Sequence, residues 1–117
     1  MQSLKKNDLF QCVYKQGKSY ANKYLVMYVL KNNLGYNRIG ISVSKKVGNS
    51  VVRHRLTRLI RESYRLQEKM FNSGLDIVVI ARNSVGKVKK CAEIQSALLH
   101  LGKLHGILIE NDKKTIN

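Results

Sequence analysis

The chain has 117 residues, with 22 Lys or Arg against 7 Asp or Glu and a formal net charge of +15. This is the length of one domain, and an apolar content of 44% supplies one core rather than two. No apolar run is long enough to span a bilayer, the N-terminal MQSLKKNDLF lacks the pattern of a signal peptide, and so much charge of one sign calls for an anionic partner, nucleic acid before a membrane surface.

Proline is absent, so Gly, Asn, Ser and Asp must end the elements. Residues 7–16, NDLFQCVYKQ, predict a short helix capped by Asn7 or Asp8 and ended by a left-handed Gly17. Leu9 and Val13 face the core on this helix, with Phe10 and Tyr14 at its flank. Residues 23–31 and 38–44 read as strands, the second alternating Ile39, Ile41 and Val43 against Arg38, Gly40, Ser42 and Ser44. The GYN between them (35–37) predicts an antiparallel hairpin. The small outward face of the second strand would let a ligand backbone approach.

Residues 50–70 are helical by period. Residues 75–82, LDIVVIAR, suit a strand buried on both faces. A last helix over residues 86–104 puts Cys91, Ile94, Leu98 and Leu101 toward the core. The fold class is α+β, an α-β sandwich with helices packed on a small sheet. One domain is expected over residues 1–105, followed by a polar tail, 106–117. Cys12 and Cys91 are expected to be reduced and the protein cytoplasmic.

Charge concentrates in residues 45–65, KKVGNSVVRHRLTRLIRESYR, where Glu62 is the one acid. At about 100° per residue from Arg53, the side chains of Val52, Leu56, Leu59, Ile60 and Ser63 fall between about 240° and 340°, a dry stripe. His54, Arg58, Arg61 and Arg65 stack between about 80° and 140°, with Arg55 beside them and Arg53 at the stripe's edge. Lys45, Lys46 and the backbone of Gly48 and Asn49 precede the helix, where free N–H groups favour anions. Arg over Lys suits bidentate grip on phosphate.

The same segment resembles the signature of the bacterial ribonuclease P protein family, in which Lys-Lys-x-Gly-Asn-Ala/Ser runs into Arg-Asn-Arg and then Arg-Leu-Ile-Arg. LKKNDLFQCVYKQGKSYAN resembles the family's first helix and following strand, RIGISVS the strand before the signature, and GLDIVVIAR the last strand. The likeness covers about residues 4–104. Two positions differ: His54 stands where the family has Asn, and Thr57 where Lys or Arg is usual.

The resemblance implies an α-β sandwich with a left-handed βαβ crossover, like the second domain of a small-subunit ribosomal protein. It implies a partner, the catalytic RNA of ribonuclease P, and a substrate, the 5′ leader of precursor tRNA. The RNA would carry Mg²⁺ and the hydrolysis, so no catalytic residue, no metal ligand and no obligate protein partner are expected of the chain. Lys45, Lys46, Arg53, Arg55, Arg58, Arg61 and Arg65 match the basic positions of the signature and, with Asn49 and His54, are expected to bind the RNA. Phe10, Tyr14, Tyr28 and Ser42 match a leader-binding cleft between the first helix and the sheet, where bases stack on aromatic faces.

A free-standing nuclease is disfavoured. Metal-dependent cleavage wants clustered carboxylates, and Asp8, Glu62, Glu68, Asp76, Glu93, Glu110 and Asp112 are scattered. His100 and His105 do not share a helix face, and HExxH, CxxC and P-loop patterns are absent. Two alternatives remain: a ribosomal or RNA-chaperone protein without enzyme assembly, and a double-stranded DNA binder, which the scarcity of Asn and Gln on the ladder opposes.

Overall fold

The computed structural model describes residues 1–87 and 90–109. In chain order the elements are β1 (Gln2–Ser3), α1 (Asn7–Gln16), β2 (Lys18–Ala21), β3 (Leu25–Lys31), β4 (Arg38–Ser42), α2 (Ser50–Gln67), β5 (Leu75–Ala81) and α3 (Cys91–His105). Single 3-10 turns follow α2 and β5. The strands form one mixed sheet in the order β1-β4-β5-β3-β2, covered by α2 and α3 on one face and by α1 on the other.

The central strand is the one that the sequence makes apolar on both sides. Ile77 and Val79 enter the core beneath α2 and α3, while Val78 packs under α1. Leu25, Met27, Ile39, Leu56, Ile60, Tyr64, Ile94, Leu98 and Leu101 complete the larger core. Each such side chain contributes about 1.5–3 kcal/mol by leaving water.

The expected hairpin between residues 23–31 and 38–44 does not form. β5 lies between those strands, antiparallel to β3 and parallel to β4. The GYN signal belongs to an arch over the start of β5. Asn32 N–H donates to the Gly74 carbonyl at 2.9 Å, and the Asn37 side-chain oxygen accepts from Leu75 N–H at 2.9 Å. A strand buried on both faces needs two neighbours, and these two supply them.

The hand of the β4–α2–β5 crossover follows from Ile39. Its side chain enters the core with Leu56 and Ile60 of α2, and its carbonyl accepts from Leu4 N–H at 2.8 Å, beside β1. On an upward strand, an L-residue with its side chain toward the viewer turns its carbonyl to the right. β1 therefore lies right of β4 and β5 left of it, with α2 in front, which is the rare left-handed connection.

Several local expectations change. Neither Asn7 nor Asp8 caps α1; the N-cap is Lys6, with no side-chain hydrogen bond. Gly17 is extended (φ −79°) rather than left-handed. Its role is close approach, since a β-carbon there would lie 2.6 Å from the Val13 carbonyl oxygen and 2.9 Å from that of Val29.

The last helix begins at Cys91, and residues 83–87 form a 3-10 turn. Residues 88 and 89 of the expected first turn lie outside the described residues. Cys91 is half-buried, while Ile94, Leu98 and Leu101 are buried. Residues 106–109, expected to be polar tail, run antiparallel to the segment that follows α2 and its 3-10 turn: Asn72 N–H donates to the Ile107 carbonyl at 2.7 Å, and Leu108 bridges Phe71. Residues 110–117 lie outside the described residues, and with them Glu110 and Asp112.

Candidate nucleic-acid interface

Two surfaces carry the residues that the sequence singles out. The first is the exposed side of α2 and the turn before it. The Asn49 side chain caps the helix, accepting from Val52 N–H at 3.0 Å. That use leaves its amide NH₂ as the group available to a ligand. No acid stands in the first turn, so nothing on the helix itself neutralises its positive end. Lys45 and Lys46 are exposed in the preceding turn.

Along α2, His54, Arg55, Arg58 and Arg65 are exposed, whereas Arg53 and Arg61 are half-buried. The reason is Tyr64. It falls outside the dry stripe expected from the sequence, yet it is buried, packs on Phe71 with ring centroids 5.3 Å apart, and accepts from Asn37 at 3.3 Å. At about 20° on the wheel it widens the buried face toward Arg53 and Arg61. Their Nε atoms are buried with no protein partner, so both guanidinium groups keep unused donors.

Arg65 differs from its neighbours. It grips Glu62 with two hydrogen bonds of 2.9 and 2.5 Å, which lowers the Glu62 pKa and raises that of Arg65. Lys45, Lys46, Arg53, Arg55, Arg58 and Arg61 form no ion pair among the described residues. Val51, His54, Arg55, Arg58, Leu59 and Glu62 line a shallow open hollow on this face.

The second surface lies between α1 and the sheet. Phe10, Tyr14, Tyr28 and Ser42 come together there. The Phe10 and Tyr14 rings are 6.4 Å apart, and Tyr14 meets Tyr28 edge-on at 5.1 Å. All four residues are half-buried. Burial raises the Tyr14 pKa, opposed by a hydrogen bond with Ser42.

Gly40 does not await a ligand backbone as expected; it is buried beneath Phe10. The half-buried side chains of Val26 and Ile80 continue the floor, in register with Ser42. Sequence reasoning missed both, although their alternation with Met27 and Val79 on the covered face carries the signal.

The two surfaces are a basic helix after a Gly-Asn turn, reached through a left-handed crossover, and an aromatic cleft beside the same sheet. A model of the family described as Ribonuclease P matches residues 1–104. The chain belongs to the bacterial ribonuclease P protein family. It is similar to the "Ribonuclease P protein component" of Lachnoclostridium phytofermentans, 64% identical over 95% of each chain. That of Alkaliphilus metalliredigens is 58% identical over 84% of this chain and 87% of its own.

Among solved structures, the Staphylococcus aureus RNase P protein superposes with a TM-score of 0.83 at 37% identity, covering 93% of this chain and 99% of that one. The Thermotoga maritima protein gives 0.81 at 32% identity, over 95% and 100%. The chain is thus a protein subunit of ribonuclease P, the ribonucleoprotein endonuclease of tRNA 5′-end maturation, and the alternative of a ribosomal or RNA-chaperone protein gives way. No helix among the described residues is long and apolar enough to cross a membrane.

Proposed function

We propose that the two surfaces divide the work of the subunit. The ladder of α2, with Lys45, Lys46 and the Asn49 amide, holds phosphates of the catalytic RNA. The cleft formed by Phe10, Tyr14, Tyr28 and Ser42 takes the single-stranded 5′ leader of precursor tRNA. Bases stack on the exposed parts of the rings, and the Tyr14 and Ser42 hydroxyls offer hydrogen bonds to the strand. The observation that carries this reading is the convergence of three aromatic residues from α1 and β3 in a half-buried row, where core rings would be closed off from water.

In this reading the polypeptide binds and positions, and the RNA performs the hydrolysis. Mg²⁺ belongs to the RNA and the substrate. The chain's own acids fit the ion poorly: no three of its His, Cys, Asp or Glu side chains gather into a site among the described residues, and Glu62 and Asp76 are committed to Arg65 and Arg38. Such a subunit works in the cytoplasm, where precursor tRNA is made.

The test is single-turnover cleavage of precursor tRNA by the catalytic RNA at low Mg²⁺, with and without the protein. Strong stimulation should appear with a long leader and fade when the leader is cut to one or two nucleotides. Stimulation indifferent to leader length would overturn the cleft assignment.

A further inference from the structure

A third surface lies beyond the ladder's C-terminal end. There, Gln2, Tyr36, Tyr64, Glu68, Phe71 and Ser73 are among the residues lining an open hollow of about 280 Å³. Tyr36 is the notable member. It is 47% exposed, yet its turn is held at several points. Asn32 accepts from Leu34 N–H at 2.9 Å and donates to the Tyr36 carbonyl at 3.1 Å and to Asp76 at 2.9 Å. Asn37, the next residue, donates to the Asn72 carbonyl at 2.7 Å as well as to Tyr64. An aromatic ring left in water by so well-tied a turn is pre-organised for a partner, because little ordering entropy remains to be lost on binding.

The surroundings indicate which partner. Tyr64 lies near the C-terminal end of α2 at about 20° on the wheel, on the side of Arg61 at about 80°, and Glu68 opens the 3-10 turn that follows the helix, close enough to act on the Arg65 charge. The hollow therefore opens where the ladder ends. Phosphates tracking the helix would carry the next base over the hollow, with the Tyr36 ring available to stack. The Glu68 carboxylate can accept from a base amino group, and the Ser73 hydroxyl can donate or accept. A carboxylate at the rim disfavours a second phosphate, so the hollow suits a base rather than more backbone.

We propose that this hollow takes one unpaired nucleobase of the RNA that lies along α2, stacked on Tyr36. The proposal rests on the assignment of α2 to the catalytic RNA. Its test is the affinity of the full-length protein for ribonuclease P RNA across a range of salt. Because Tyr36 is exposed, Tyr36→Ala should keep the melting temperature. It should weaken binding by about 5- to 150-fold, the worth of one stacked base, with an unchanged salt slope. Tyr36→Phe should bind like the parent protein.

Equal affinity of Tyr36→Ala and the parent would overturn the proposal. So would an equal loss in Tyr36→Phe, which would implicate the hydroxyl and not the ring. A parent protein that does not bind this RNA would remove the α2 assignment itself. Retained binding with an indifferent Tyr36 removes the hollow alone.

Discussion

Phe10 occupies the space that a side chain at position 40 would need. A β-carbon on Gly40 would lie 2.6 Å from Cζ and 2.8 Å from Cε1 of the phenyl ring. The glycine lets the ring settle over β4 and so sets the depth of the cleft. Because the blocking atoms belong to the tip of a ring that can swing, Gly40→Ala should cost only about 1 kcal/mol, at the low end for overpacking. The displaced ring should nevertheless weaken binding of leader-bearing precursor tRNA more than that of mature tRNA. Equal effects on both would make Phe10 a core residue only.

Salt dependence distinguishes free from engaged arginines. Arg58 is exposed and unpaired among the described residues, whereas Arg65 is bound to Glu62. Arg58→Ala should lower the log–log salt slope of RNA binding by about one unit, the value of one phosphate contact. Glu62→Gln should raise both affinity and slope by releasing Arg65. A slope insensitive to both changes contradicts the ladder.

His105 makes stability depend on pH. Its Nε2 meets the Met27 carbonyl at 2.9 Å and its ring meets Tyr20 edge-on at 4.7 Å. Burial, with a smaller contribution from Lys18, lowers its pKa against the opposing Met27 hydrogen bond. The unfolded chain therefore binds this proton more readily than the folded one. The stability is complete above the unfolded value of about 6.5 and is lost as pH falls through the lower folded value. Between pH 7.5 and 5 the melting temperature should drop further in the parent than in His105→Gln; parallel curves would refute the assignment.

Asp76 holds the start of the central strand to its neighbour. It is buried and takes a two-pronged bond from Arg38 at 2.8 and 2.7 Å, which raises the Arg38 pKa. Asp76→Ala should cost about 3 kcal/mol, near the low end for breaking a buried pair because the Arg38 side chain stays 23% exposed. Chemical denaturation would measure this, and a loss under 1 kcal/mol would show the pair to be dispensable.

Much of the molecule could be read from local pattern. The range of α1, the double-sided burial of β5 and the charge segregation on α2 follow from periodicity and residue type, which act over a few residues. The aromatic cleft was legible only through resemblance, because Phe10, Tyr28 and Ser42 come from three separate elements. Tyr64 escaped the wheel because its burial depends on Phe71, which lies past the end of the helix, and on Asn37, which is distant in sequence.

By itself, then, the sequence determined that this is a small basic α+β protein with one helix whose cations are segregated from its dry stripe, and its signature pointed to the family. Only the tertiary structure decided that β5 enters between β3 and β4, that Gly40 yields its space to Phe10, that Glu62 occupies Arg65, and that Tyr36 stands beside a hollow at the ladder's end. Strand order and side-chain pairing depend on which distant surfaces fit together best, and periodicity along the chain carries no term for that.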